Sequence, residues 1–142
     1  MSSEADLVLL NSALTQLMRR LRDVDELQGV GRARLSALAV LRFGGACSAS
    51  ELAEREMVSR ATMHHVLGGL EHDGLIRRNP DPEDARRHII TLTSRGRATI
   101  ERAHRARITY LREVAADIAP GRLRSACEVL DRMRDVANRG AH

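Results

Sequence analysis

Lysine and tryptophan are absent from this chain, and its only phenyl and phenol rings are Phe43 and Tyr110. Modules that stack bases on aromatic platforms, such as RRM-type domains, are thereby excluded. Long apolar runs are missing too. None approaches the ~20 residues that span a bilayer, so no membrane partner is expected. The opening residues Ser3, Glu4 and Asp6 are unlike a signal peptide. Cys47 and Cys127 stand in no metal-like or disulfide-like spacing, which implies a reducing, cytoplasmic setting. There is no Ser/His/Asp nucleophile setting, no Gly-rich phosphate loop and no pair of catalytic carboxylates, so neither an enzyme nor a cofactor is expected. His65 and His72 share one helical face. A metal site needs three or four ligands, and no spacing supplies the others, so no metal is expected.

What is present is arginine. All 23 basic residues are Arg, set against 19 acidic ones for a net charge of +4. A basic surplus suits a polyanionic partner. Each guanidinium also offers a planar fork to phosphate or guanine. With 142 residues, 43% of them hydrophobic, the chain is long enough to bury a core of its own, and 1–142 reads as a single domain.

Leu7, Leu10, Leu14, Leu17, Leu21 and Val24 recur at spacings of 3 and 4, one face of an N-terminal helix and close to a coiled-coil seam. Gly29 and Gly31 end it. A second helix is predicted over about 32–43, closed by Gly44 and Gly45. Ser48-Ala49-Ser50-Glu51 has capping-box spacing ahead of a short helix around Glu51–Glu54. After a break at Met57–Val58, Ser59 caps a helix from about Arg60 to His72. Its Met63, Val66, Leu67 and Leu70 keep a 3.6 period, and Gly74 stops it. The period then changes. Leu75–Arg78 and His88–Leu92 read as two strands of a β-hairpin around the polar tip Asn79–Arg87. Thr93 or Ser94 caps a long helix predicted from about 95 to 118, apolar at Ile100, Ala103, Ile108 and Leu111. Pro120 then starts a last helix, apolar at Leu123, Leu130 and Met133.

Short helix, tight break, second helix and hairpin, in that order, make a winged helix-turn-helix. The fold class is therefore mainly α with a small β-hairpin wing, flanked by N- and C-terminal dimerisation helices. Residues 32–97 form the DNA-binding part; 1–28 and 98–142 form the helical dimerisation part. A helix fits the major groove of double-stranded DNA with its first residues at the base edges. Ser59, Arg60, Thr62, His64 and His65 occupy that end of the second helix and lie off its apolar stripe. A basic hairpin beside it, here with Arg86 and Arg87, reaches the adjacent minor groove or phosphates. Leu7, Leu10, Leu14, Leu17, Leu123 and Leu130 are the candidate dimer interface, because helical ends this apolar would otherwise expose a large patch.

Three stretches carry a family resemblance. Leu52-Ala53-Glu54-Arg55 leads into Val58-Ser59-Arg60-Ala61-Thr62, and Leu70 to Arg78 follows. Asp81-Pro82-Glu83-Asp84-Ala85-Arg86-Arg87 then runs through Leu92-Thr93 to Gly96. Together they resemble the MarR family of transcriptional regulators, with Asp84-x-Arg86 before Leu92-Thr93 the most specific part. The resemblance implies a homodimer on a palindromic site, with Arg86 in the minor groove and Asp84 holding the wing by a salt bridge. It also implies a small-molecule or oxidant signal that changes the spacing of the two DNA-reading heads, a ligand lying in the cleft between dimerisation helices and winged helix. The chain departs from the family at the turn, where Met57 replaces a common Gly, and at His65, where Arg is common. The expected function is thus a sequence-specific, ligand-responsive repressor. The alternatives are a protein-interaction module built on the winged helix and a non-specific architectural DNA binder.

Imidazole gains a proton in the mildly acidic range. With His64 and His65 against DNA, affinity at fixed salt is expected to rise as the pH falls from about 8 to about 6. A flat titration would take both side chains out of the interface.

Overall fold

Side-chain capping sets several of the helix starts in the computed structural model, which describes residues 3–140. The outer ends of the segments 1–28 and 98–142 (residues 1–2 and 141–142) lie outside the described residues. The order is α1 Glu4–Glu26, α2 Arg32–Gly44, β1 Cys47–Ser48, α3 Ala49–Arg55, α4 Arg60–His72, β2 Ile76–Pro80, β3 His88–Leu92, α5 Ser94–Val114 and α6 Pro120–Arg139. Ser3 and Asp6 form a capping box on α1, and Ser48 and Glu51 form the one expected on α3. The Ser59 hydroxyl accepts the Thr62 amide at 3.0 Å and opens α4. No described helix is long and apolar enough to cross a membrane.

The sheet has the order β1-β3-β2 and is antiparallel throughout. The hairpin is the expected one, shifted so that β2 runs Ile76–Pro80 rather than 75–78. β1 is an addition. Its two residues pair Cys47 with Ile90 and Ser48 with Ile89, too short a run for an alternation signal. β3 is thus central, and Ile90 is fully buried along with Leu38, Leu52, Leu67 and Leu70. The core is aliphatic, built from α2, α3, α4, the sheet and the start of α5. Thr93 ties the hairpin to α5. Its hydroxyl donates to the Gly74 carbonyl at 2.7 Å and accepts the Gly96 amide at 3.0 Å. Gly96 is required there, because a Cβ would collide with the Leu75 carbonyl.

The chain divides into two compact units, Met1–Arg107 and Ile108–His142. In the first, the α1 stripe splits: Leu21 is buried, Val24 and Leu10 are half-buried, and Leu7, Leu14 and Leu17 are exposed. In the second, α6 buries none of its residues and displays Leu123, Val129, Leu130, Met133 and Val136. α5 stops at Val114, four residues short of the expected 118. The residue before a proline is pushed out of the helical region, and Ala119 sits at φ −56°, ψ 134°. The chain uses residues 115–118 to turn, with the Ile118 amide on the Ala115 carbonyl at 3.0 Å.

α3 ends in a Schellman arrangement. The Met57 amide donates to Glu54 O at 3.1 Å and the Val58 amide to Ala53 O at 3.0 Å. This geometry puts Met57 at φ 53°, a left-handed conformation suited to glycine, in which no other described non-glycine residue sits. Met57→Gly is expected to stabilise the fold by roughly 0.5–1 kcal/mol after glycine's extra chain entropy is subtracted. A thermal melt should rise by a few degrees (roughly 2–4 °C per kcal/mol at this size). An unchanged or lower melting temperature would show that the turn carries no strain.

Candidate nucleic-acid interface

The first two turns of α4 carry exposed side chains on one side of a buried stripe. Met63, Val66, Leu67 and Leu70 point into the core. Arg60, Thr62, His64 and His65 are exposed. Thr62 is partly committed: its hydroxyl lies 2.9 Å from that of Ser59, and its amide is the one Ser59 caps. Arg60, His64 and His65 make no side-chain hydrogen bond among the described residues. The amides at the start of α4 and the positive end of its dipole favour an anion there.

The wing separates its two arginines. Arg86 is 92% exposed in its side chain, and its Nε rests 3.2 Å from Asp84 Oδ1, which also accepts the Arg86 amide at 3.1 Å. Arg87 turns the other way. Its Nη2 donates to Glu51 Oε1 at 3.1 Å, and its Nε lies 3.9 Å from Asp81. Arg87 therefore anchors the wing to the start of α3, and Arg86 projects from the anchored wing. Glu51 was legible as a capping residue, but its second role depends on the fold of the hairpin. In β2, Arg78 pairs with Glu71 of α4 at 3.0 Å, and Arg77 is exposed.

Within the first unit, a cavity of about 510 Å³ opens between α1, α2 and α5, beside the α3–α4 turn. Leu35, Ala39 and Ile100 give it apolar walls, and Arg22, Arg32 and Arg107 give it charge. Arg107 grips the buried Asp25 with two hydrogen bonds, Nε to Oδ1 at 2.7 Å and Nη2 to Oδ2. That pairing holds the Arg107 pKa above its ordinary value, against the opposing effect of burial. The Phe43 and His104 rings meet at 5.4 Å at the same cavity. Of the thiols, Cys47 is buried and Cys127 exposed. Burial pushes the Cys47 thiol up, away from a reactive thiolate. The described residues contain no cluster of His, Cys, Asp or Glu fit for a metal.

Comparison with known proteins gives a family from sequence and the same fold from structure. The family model described as "MarR family" matches residues 32–88. A helix-turn-helix-type transcriptional regulator of Mycobacterium tuberculosis is 32% identical over 124 residues, covering 85% of this chain and 87% of that protein. The transcriptional repressor YetL of Bacillus subtilis is 37% identical over 73 residues, 49% of this chain and 44% of that one. The structure of a MarR family protein from Bacillus stearothermophilus superposes with a TM-score of 0.85 at 19% identity, over 97% of this chain and 99% of that one.

The Ser48 amide, the Ser48 hydroxyl and the Arg87 guanidinium hold the Glu51 carboxyl below the usual carboxylate range. A lowered folded value means that this stabilisation is complete above the unfolded carboxyl's pKa of about 4.3 and is lost as the pH falls through the folded value. Glu51→Gln keeps the shape of the cap but removes the charge. Its stability is expected to fall less steeply with acid than that of the parent, as measured by chemical denaturation at a series of pH values. Parallel curves would show that the carboxylate's charge contributes nothing.

Proposed function

The chain belongs to the MarR family of DNA-binding transcriptional regulators, and we propose that it works as a homodimeric, ligand-responsive repressor of a palindromic operator. The observation that carries this reading is the pairing of an exposed cluster on α4 with an exposed Arg86 on an anchored wing. In this reading Arg60, Thr62, His64 and His65 read base edges in the major groove, with Ser59 at the phosphate beside them. Arg86 enters the minor groove, Asp84 keeps its side chain aimed, and Arg87, expected beside it on DNA, serves instead as the wing's anchor through Glu51. Other arginines neutralise phosphates and set the register.

Dimerisation is supported by the exposed apolar side chains of α1 and α6: Leu7, Leu14 and Leu17 on one, Leu123 and Leu130 on the other. Leu10, half-buried, continues the α1 row. A two-fold axis then sets half-sites about 10–10.5 bp apart or a multiple of that. The cavity between α1, α2 and α5 is the proposed effector site, with aliphatic walls, the Phe43 and His104 rings and an arginine rim. A ligand there that favours one arrangement of the heads shifts the dimer between binding and non-binding spacings. YetL, by its name, is a repressor, and repression is the sign proposed here.

Fluorescence anisotropy with the DNA upstream of the chain's own gene, against a scrambled duplex at two salt concentrations, tests this reading. Salt-sensitive, sequence-preferring binding is expected, weakened about tenfold or more by Arg86→Ala. Equal affinity for both duplexes would make the protein a non-specific architectural binder. Binding to neither would point to a winged helix turned to a protein partner.

A further inference from the structure

We infer that Arg34, on the first turn of α2, is the positioning residue that fixes the angle of the DNA-reading helix α4, and that Gly69 is its seat. The inference rests on α4 being the element that meets DNA. α4 carries two adjacent glycines in its interior, where glycine is among the poorest helix formers. They differ in surroundings. A Cβ on Gly68 would meet nothing within 4 Å. A Cβ on Gly69 would run into the Arg34 guanidinium, 2.7 Å from Cζ, 2.9 Å from Nε and closer still to Nη2. The missing side chain at 69 is filled by an arginine from another helix.

The guanidinium is held at its far side as well. Arg34 Nη1 donates to Asp73 Oδ2 at 2.6 Å, and Asp73 is the C-cap of α4, with its amide on the Gly69 carbonyl at 3.1 Å. One cation therefore touches the backbone of the last turns of α4 and the residue that closes them. Helix electrostatics give the pairing its sense. A cation in the first turn of α2 opposes that helix's own dipole, and Gly31 offers α2 no side-chain cap. The same cation beside the last turn of α4 complements the dipole there. Arg34 stands where it disfavours its own helix and favours the neighbour. It also borders a shallow groove with His64 and His65, which places the guanidinium on the same side of α4 as both.

Arg34 acts through α4 and touches no base in this scheme, which separates it from a phosphate contact. Arg34→Ala and Asp73→Asn are expected to lower the ratio of specific to scrambled affinity about tenfold. The salt slope should stay unchanged, because no counterion-releasing contact is lost. Arg34→Lys should restore little, since it keeps the charge without the planar fork. A salt slope reduced by about one, with both duplexes weakened equally, would make Arg34 a phosphate contact and overturn the inference. An unchanged ratio would overturn it too. Thermal melting tests the seat independently of DNA. Gly69→Ala gains helix propensity in either background, but in the parent it must displace the Arg34 guanidinium, so it should raise the melting temperature less in the parent than in the Arg34→Ala background. An equal rise in both backgrounds would show that position 69 is not a seat. If the parent itself prefers no sequence, the reading of α4 fails and this inference with it, while the melting cycle still reports whether the seat exists.

Discussion

The carboxylate of Glu51 is shared by three parts of the first unit. One oxygen accepts the amide of Ser48, which lies on the edge strand β1, and the other accepts the wing's Arg87. Ser48 in turn pairs with Ile89 of β3. The start of α3, the edge of the sheet and the wing are therefore positioned against one another by short polar links around an aliphatic core. A hairpin alone is marginal in water. This one is stiffened by a third strand on one side and by the Arg87–Glu51 ion pair to α3, and Arg86 projects from it with its side chain exposed.

The turn between α3 and α4 shows a different kind of compromise. Schellman geometry demands a left-handed residue, and the chain supplies Met57, 91% exposed, in place of glycine. The fold tolerates the strain because the flanking helices leave the turn no alternative. Val58 must bond back to Ala53, and Ser59 must be free to cap α4. Strain of this sort persists only where the surroundings over-determine the conformation. At the cavity beside this turn, Asp25 is buried and satisfied by the forked grip of Arg107. A lone buried carboxylate would be costly, so α1 and α5 are coupled through a contact in which neither partner is dispensable.

Legibility followed chemistry that is local. The limits of α4 at Arg60 and His72 were readable because Ser59, the apolar period and Gly74 all lie within one stretch. The capping box at Ser48 and Glu51 was readable for the same reason, as was the polar cluster at the start of α4. Features set by distant residues were not. β1 is two residues long and exists because Ile89 and Ile90 are there to pair with it. The end of α5 depended on how far back Pro120 would reach. Arg86 and Arg87 are neighbours of identical type, and only the packing of the hairpin against α3 sends one outward and ties the other down. Gly69 looks like a weakness in a helix until Arg34, far away in sequence, is seen to occupy its place.

The ties between elements share one chemistry. Arg34 with Asp73, Arg42 with Glu101, Arg78 with Glu71, Arg87 with Glu51 and Arg107 with Asp25 are all guanidinium–carboxylate pairs, and the chain has no lysine to substitute in any of them. No side chain carries a primary amine. Acylating agents, including the acetyl transfers that neutralise lysines in other basic proteins, find nothing to modify in these ties. Reagents selective for guanidinium would meet the same residues that hold the helices in register and those that give the surface its charge, so architecture and polyanion affinity are exposed to one chemical vulnerability and shielded from another.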